Sequence, residues 1–405
     1  MAPKVRKNFL KGKPKASPVT DSERDDLIQK VNKLTSTWRT RLSNWKCQHQ
    51  SSHGKITLVS DCCGYGSELI ALRLLGLQKR IHLAMATEVD GAKVDLHEAV
   101  SRACGINTSS TVMADMFERD LDSAPQADIY VAGYPCPSFS KLGRKKGTKD
   151  RRGLVTLKGL EFIAFTRPKM VLLEQVATLL HKSNARLWQF IQKTFRILNY
   201  QMIFQVLNTK HFGVPQSRPR VYIIAIVQEC AQGRQLEMPP ARKSHPDLHQ
   251  FLDKNKIGKE TLNLPNYEEK IGPSLWTKGY IVDVGSSPKF QHALTNCCPC
   301  LTYTRLKEGG YYIPKLRRRV RCEEAARLQG VPAKVLAAMR TTELPPRSVD
   351  AALGDAMSIN VLMLTLRRGL GVAGLTDMGP KHDWWLRCPS ESCHQLSDNL
   401  FDKYG

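Results

Sequence analysis

The sequence predicts a doubly wound α/β fold carrying a second, smaller and irregular domain. Three observations predict it. Short apolar, β-branched runs alternate with helical patterns between residues 55 and 228. The chemically distinctive residues gather where those strands end. The alternation stops near 229 and regular patterning returns near 316, so one α/β unit is interrupted by an insert.

The elements follow in order. Residues 1–54 form a basic extension. Its first 24 residues are rich in Lys, Pro and Ser and are expected to be disordered. Leu27, Ile28, Val31, Leu34, Trp38, Leu42 and Trp45 then recur at helical spacing, which predicts an amphipathic helix over 25–48. ITLVS (56–60) is the first strand, and it meets the turn Asp61-Cys62-Cys63-Gly64-Tyr65-Gly66. SELIALRLLG is a helix ending at Gly76. HLAMATEVD (82–90) is a second strand, followed by the helix AKVDLHEAVSRAC. TVMADM (111–116), ADIYVAGYPC (127–136) and PKMVLLEQV (168–176) supply the third to fifth strands, with the helix LKGLEFIAF before the last of these. The helix ARLWQFIQKTFRILNY leads to QMIFQVLN and then VYIIAIV (221–227), both strands. Right-handed crossovers bring the ends of parallel strands to one edge. Ligands of open α/β sheets bind at that edge.

Residues 229–315 are rich in Pro, Gly, Lys and Asn and form the irregular domain. Residues 316–372 complete the α/β unit, with helical stretches at 322–330 and 349–370. Residues 373–405 are a tail.

Composition excludes several classes. With 41% hydrophobic and 24% charged residues, the chain is neither wholly disordered nor collagen-like. No apolar stretch is long enough to span a membrane, and the N-terminus lacks the core of a secretory signal. The 12 cysteines are therefore expected in a reducing compartment, as core residues, ligands or nucleophiles. The net charge of +24 predicts a polyanionic partner, nucleic acid first and an anionic membrane surface second. The first 24 residues carry only part of that excess, so the body is basic too. The basic N-terminus suits nuclear targeting in a eukaryotic cell as well as it suits a solvated tail, and the expected address is otherwise cytoplasmic.

The candidate site residues close consecutive strands. Gly64-Tyr65-Gly66 lets a ligand approach the backbone at a helix start. Alone it equally fits a tight turn. Glu88, closing the second strand, suits the two hydroxyls of a ribose, and Asp115, closing the third, suits an adenine amino group. Gly133-Tyr134-Pro135-Cys136-Pro137-Ser138-Phe139-Ser140 is the sharpest feature. Two prolines clamp a cysteine just past a strand, which favours a nucleophile over the usual buried thiol.

PCPSFS, the following KLGRKKG, and LLEQV (172–176) resemble the cytosine-C5 DNA methyltransferase family. So do Gln216-Ser217-Arg218-Pro219-Arg220, EEAARLQGVP (323–332) and LGDAMSINVL (353–362), in the same order. The resemblance spans about 55–370. It implies a Rossmann-like methyltransferase sheet, with 229–315 as the target-recognition domain. It also implies S-adenosyl-L-methionine as cofactor and double-stranded DNA as partner, with RNA second. No membrane and no obligate protein partner are expected. Cys136 would add to C6 of a flipped cytosine. Glu174 would bond N3 and the 4-amino group, while Arg220, with Arg218, would stabilise O2. Cys62, Gly64, Tyr65, Gly66, Glu88, Val89, Asp115, Met116, Pro135 and Asp355 would hold the cofactor.

The chain departs from the family pattern at several places. Ser60 and Cys62 stand where the first block has Asp or Ser and then Phe. Gln175 replaces Asn after Glu174, Asp355 replaces Asn in the closing block, and Val320-Arg321 replaces Leu-Thr. Two alternatives follow. One is a tRNA cytosine-C5 methyltransferase, although that branch's Cys-Phe-Thr signature is not found. The other is a catalytically impaired chromatin or DNA-binding relative, which Cys62 and Asp355 favour. The cluster LRRRVR (316–321) reads equally as a phosphate contact or a solvated face. Cys297-Cys298-Pro299-Cys300 lacks a second pair at zinc-finger spacing, so separate loop or core cysteines are expected there.

Overall fold

Seven strands form one sheet: β1 (Ile56–Asp61), β2 (Ile81–Thr87), β3 (Asn107–Thr108), β4 (Ile129–Gly133), β5 (Met170–Val176), β6 (Tyr200–Asn208) and β7 (Pro219–Val227). Their order is β3-β2-β1-β4-β5-β7-β6. The computed structural model describes residues 20–43, 45, 54–108, 112, 115–135, 151–286, 293–377, 398–399 and 401–403. Cys136 and the rest of its loop lie outside the described residues. So do the basic residues 144–150, the first 19 residues and the tail's Trp384, Trp385, Cys388, Cys393 and His394.

The doubly wound expectation holds. β1 to β5 pair in parallel, and Ile129, Tyr130, Val131 and Ala132 of β4 are all fully buried. Successive strand residues point to opposite faces, so both faces of the sheet are covered. β7 is the reversed strand, antiparallel to β5 and to β6. The connection from Thr209 to Arg218 carries no crossover helix, and a short connection requires that antiparallel return.

Two helix groups cover the sheet. Ser67–Leu74 packs with Ile359–Val372, which also lies on β5 and β7. Arg151–Thr166 and Ala185–Ile197 form the second group, together with Asp21–Ser36 of the extension. Thr20 caps that last helix with a reciprocal Thr–Glu23 box, and Leu27, Val31 and Thr35 are its buried residues. The extension is fastened further along. Trp38 Nε1 donates to Ile197 O at 2.8 Å, and the Arg167 guanidinium stacks on Trp38 and Trp45 at 4.1 and 4.5 Å.

Several expectations need correction. The predicted single helix over 25–48 ends at Ser36, and a short turn Trp38–Arg41 follows. The third strand lies earlier than TVMADM, at Asn107–Thr108. Met116 instead opens a single helical turn, Met116–Glu118, because the Asp115 side chain accepts from Phe117 N at 2.9 Å. The stretch 349–370 is two helices, Pro346–Asp355 and Ile359–Val372, bent by 48° at an extended Ala356. The helix Ala333–Arg340 was not anticipated. Cys230 is disulfide-bonded, against the expectation of uniformly reduced cysteines.

The irregular segment contains its own small antiparallel sheet. Its strands are β8 (Tyr280–Asp283), β9 (Ala293–Thr295), β10 (Tyr311–Ile313) and β11 (Arg318–Arg319), in the order β11-β10-β8-β9. Leu264, Tyr267, Leu275, Tyr280, Val282 and Tyr312 form a separate core beneath it. Among the described residues, no single helix is long and apolar enough to cross a membrane.

Candidate active site

The turn after β1 is shaped by its glycines. Gly64 and Gly66 have φ of +58° and +90°, which disfavour side chains. A Cβ at Gly66 would lie 3.1 Å from His97 Cδ2, whereas beside Gly64 there is open space to 4 Å. The backbone at Gly64 is therefore approachable. Gly66 caps the helix Ser67–Leu74 without any side-chain bond. Tyr65 turns inward, 2% exposed, and offers the turn only its backbone.

Glu88 locks this turn. Its Oε2 accepts from Gly64 N and its Oε1 from Asp90 N, both at 3.0 Å. Asp90 in turn caps the helix Gly91–Cys104. Val89 is 52% exposed beside Glu88, and Met116 is buried next to Asp115. Cys62 is half-buried with φ +52°, and burial followed by Glu88 and Asp61 pushes its thiol well up. Pro135 is half-buried two residues past the end of β4. Asp355 is paired with Lys93, Nζ to Oδ2 2.9 Å.

Asp61 organises these strand ends and was missed as a site residue. It is fully buried. It accepts from Arg119 Nη2 at 2.5 Å, Tyr130 Oη at 2.5 Å and Thr87 Oγ1 at 2.9 Å. Those bonds tie the ends of β1 and β2 to β4 and to the loop after Met116–Glu118. The Arg119 guanidinium lies over the Phe162 ring at 4.5 Å. Asp61 stands visibly at the turn in the sequence, but its partners lie 26, 58 and 69 residues away.

The second half of the site sits on β5 and β7. Glu174 pairs in register with Gly133 on one side and Tyr222 on the other. Gly133 is three residues before Cys136. The Glu174 carboxylate is 5% exposed, and its Oε1 lies 3.3 Å from Arg220 Nε. Burial raises the Glu174 carboxyl above the ordinary range, although Arg220 and then Arg218 oppose the shift.

Arg218, expected at O2, also braces the backbone. Its guanidinium, in a residue 3% exposed, donates to Leu301 O at 2.7 Å, Gly354 O at 3.2 Å and Ala356 O at 2.7 Å. It joins the irregular segment to the closing helices. Both arginines also reach Cys300 Sγ, at 3.6 Å from Arg218 and 3.7 Å from Arg220. Burial raises that thiol, but Arg220 and Arg218 outweigh it, and the net shift is downward. In the sequence Cys300 is one cysteine of Cys297-Cys298-Pro299-Cys300. Its position beside two arginines of distant sequence was not legible there.

The two halves give the layout of a doubly wound α/β protein, a class in which ligands bind beyond the carboxyl ends of the strands. The chain belongs to the C-5 cytosine-specific DNA methylase family, whose model matches residues 62–368. Type II methyltransferase M.SsoII of Shigella sonnei is 28% identical over 241 residues, covering 56% of this chain and 61% of that protein. Orphan methyltransferase M.SPRI of Bacillus phage SPR is 29% identical over 192 residues, 47% and 42% of the two chains. This chain thus spans less than two thirds of either relative. Type II methyltransferase M.NgoBI of Neisseria gonorrhoeae is 26% identical over 259 residues, 61% of this chain and 75% of that one.

Two solved structures share the fold. The S. pombe Dnmt2 methyltransferase superposes with TM-score 0.53 at 16% identity, covering 78% of this chain and 98% of its own. A putative DNA modification methyltransferase encoded within an E. coli prophage gives 0.52 at 15%, covering 80% and 99%.

Proposed function

We propose that this protein is a DNA (cytosine-5)-methyltransferase that acts through a covalent bond between Cys136 and C6 of a flipped cytosine. One observation carries the reading: a buried Glu174 beside Arg220, its carboxyl raised by burial, in register with the strand that ends just before Cys136.

The chemistry follows from those groups. Cytosine C5 is a poor nucleophile. Addition of the Cys136 thiolate to C6 makes C5 enamine-like and places charge on N3 and O2. Burial raises the Glu174 carboxyl and so favours a proton on it, and in this reading Glu174 gives that proton to N3 as the adduct forms. Arg220, with Arg218, stabilises O2, and Arg218 also holds three backbone carbonyls. S-adenosyl-L-methionine, when bound, supplies an electrophilic methyl group to C5. A water then takes the C5 proton, the Cys136 thiolate leaves, and Glu174 recovers its proton.

The cofactor fits the residues present. The open face of Gly64, the Glu88 carboxylate, Asp115 and Asp355 would hold it, with Cys62, Tyr65, Gly66, Val89, Met116 and Pro135 around it. In the proposed division, 55–228 and 316–372 form the catalytic body. Residues 229–315 recognise the target, and 1–54 and 373–405 are extensions. The partner is duplex DNA, attracted by the +24 charge. The basic N-terminal residues support a nuclear address in a eukaryotic cell.

Duplex DNA containing 5-fluorocytosine, incubated with S-adenosyl-L-methionine, should trap an adduct on Cys136. Cys136→Ser should form none yet still bind the duplex, and continued methylation by that variant would overturn the reading. RNA is the second reading. Cys300-Leu301-Thr302, beside Arg218 and Arg220, differs from Cys-Phe-Thr only in its middle residue. Methyl transfer to a tRNA in preference to duplex DNA would favour it. Failure to bind S-adenosyl-L-methionine by calorimetry would favour the catalytically impaired relative.

A further inference from the structure

Lys93 belongs to none of the motifs that carry the family resemblance, yet it sits among them. It lies in the first turn of the helix Gly91–Cys104, just past Glu88. Its ammonium bonds Asp355 Oδ2 at 2.9 Å, with the two side chains 14% and 44% exposed. Asp355 ends the helix Pro346–Asp355, and two residues on, Met357 Sδ lies 3.3 Å from where a Cβ of Gly133 would stand. The Lys93–Asp355 pair thus links the β2 end to the β4 end. β1 and its glycine turn lie between those strands.

The surrounding charges fix the state of the pair. Burial works against the Lys93 cation, but Glu88, Asp355 and Asp90 more than offset it and raise its pKa. Both Glu88 oxygens already accept backbone N–H groups, and Asp90 caps its helix, so Asp355 takes the ammonium. The Tyr303 ring centroid lies 5.6 Å from Nζ.

We propose that Lys93 and Asp355 together receive the zwitterionic amino-acid end of the adenosyl cofactor, carboxylate on Lys93 and ammonium on Asp355. This rests on the cofactor reading above. An ammonium–carboxylate pair is the complement of an α-amino acid. Each member trades its partner for the opposite group of the ligand, so neither charge loses its counter-ion, which matters most for the less exposed Lys93. The asparagine usual at position 355 is neutral and allows no such exchange. Aspartate there adds a charge, and Lys93 is the group that balances it.

The test uses calorimetry on the full chain with two nucleosides. S-adenosylhomocysteine carries the amino-acid end, and 5′-methylthioadenosine lacks it. Lys93→Met and Asp355→Asn should each weaken S-adenosylhomocysteine by about 10-fold or more, the scale of a charge-assisted hydrogen bond. Methylthioadenosine should be unchanged, which also reports that the variants fold. The double variant should lose less than the product of the single losses, and Lys93→Arg should retain most of the affinity. Equal losses for both nucleosides, or no loss for either, would overturn the proposal. Failure of the unaltered chain to bind either nucleoside would overturn the cofactor reading and this inference with it.

Discussion

Replacing Glu68 with Gln should stabilise the protein above pH 7 and leave it unchanged in acid. Glu68 is fully buried behind the glycine turn. Its Oε1 accepts from Ser60 Oγ at 2.8 Å, and its Oε2 has no hydrogen-bond partner. The His97 imidazole is 3.9 Å away, but burial lowers His97 from 6.5 to about 4, so it is neutral at pH 7 and forms no ion pair. Burial lifts the Glu68 carboxyl from 4.5 to about 7, with its own backbone N–H and Ser60 opposing only in part.

The folded pKa lies above the unfolded one. The protonated group therefore favours folding fully below pH 4.5, and that contribution is lost as pH rises through 7. At about 1.4 kcal/mol per pH unit, the span amounts to about 3 kcal/mol. Gln keeps the acceptor for Ser60 and places an amide N–H where the proton sat. His97 acts in the opposite sense, its contribution lost as pH falls below 6.5, but it is common to both proteins and cancels in the comparison. Urea unfolding of both at pH 5, 6, 7 and 8 measures the difference. A gap that does not change with pH, or a less stable Glu68→Gln variant at pH 8, would refute the reasoning.

Asp61→Asn should cost about 3–5 kcal/mol in urea unfolding, because it leaves the buried Arg119 without its carboxylate; a loss below about 1 kcal/mol would show that Tyr130 and Thr87 hold the strand ends unaided. Cys300 should alkylate with iodoacetamide at neutral pH faster than Cys62 and Cys322, the other half-exposed thiols among the described residues, whose pKa values are raised. Site-resolved mass spectrometry reads the rates, and equal rates would deny the influence of Arg218 and Arg220. Duplex binding should weaken more than about 100-fold between about 50 and 200 mM salt, measured by anisotropy, and a flat response would separate the basic surface from phosphates.

Strand identity was legible wherever a run was apolar and bounded by a turn, as at Ile129–Gly133 or Met170–Val176. It was not legible at Asn107–Thr108, a polar pair that joins the sheet by position alone. The small sheet escaped notice because its strands are two to four residues long, too short for an alternation to register. Glu88 could be marked because it closes a strand, and Glu174 and Asp355 because they sit in the motifs that carry the family resemblance. Lys93 and Cys300 could not, because each matters through a residue more than 75 positions away.

The hold of Arg218 on Leu301, Gly354 and Ala356 has a mechanical consequence. Gly354 and Ala356 flank Asp355, while Leu301 belongs to the segment proposed to read the target. One guanidinium is thus a shared rivet. Loss of that one side chain would release Leu301 and the two carbonyls on either side of Asp355 at a stroke.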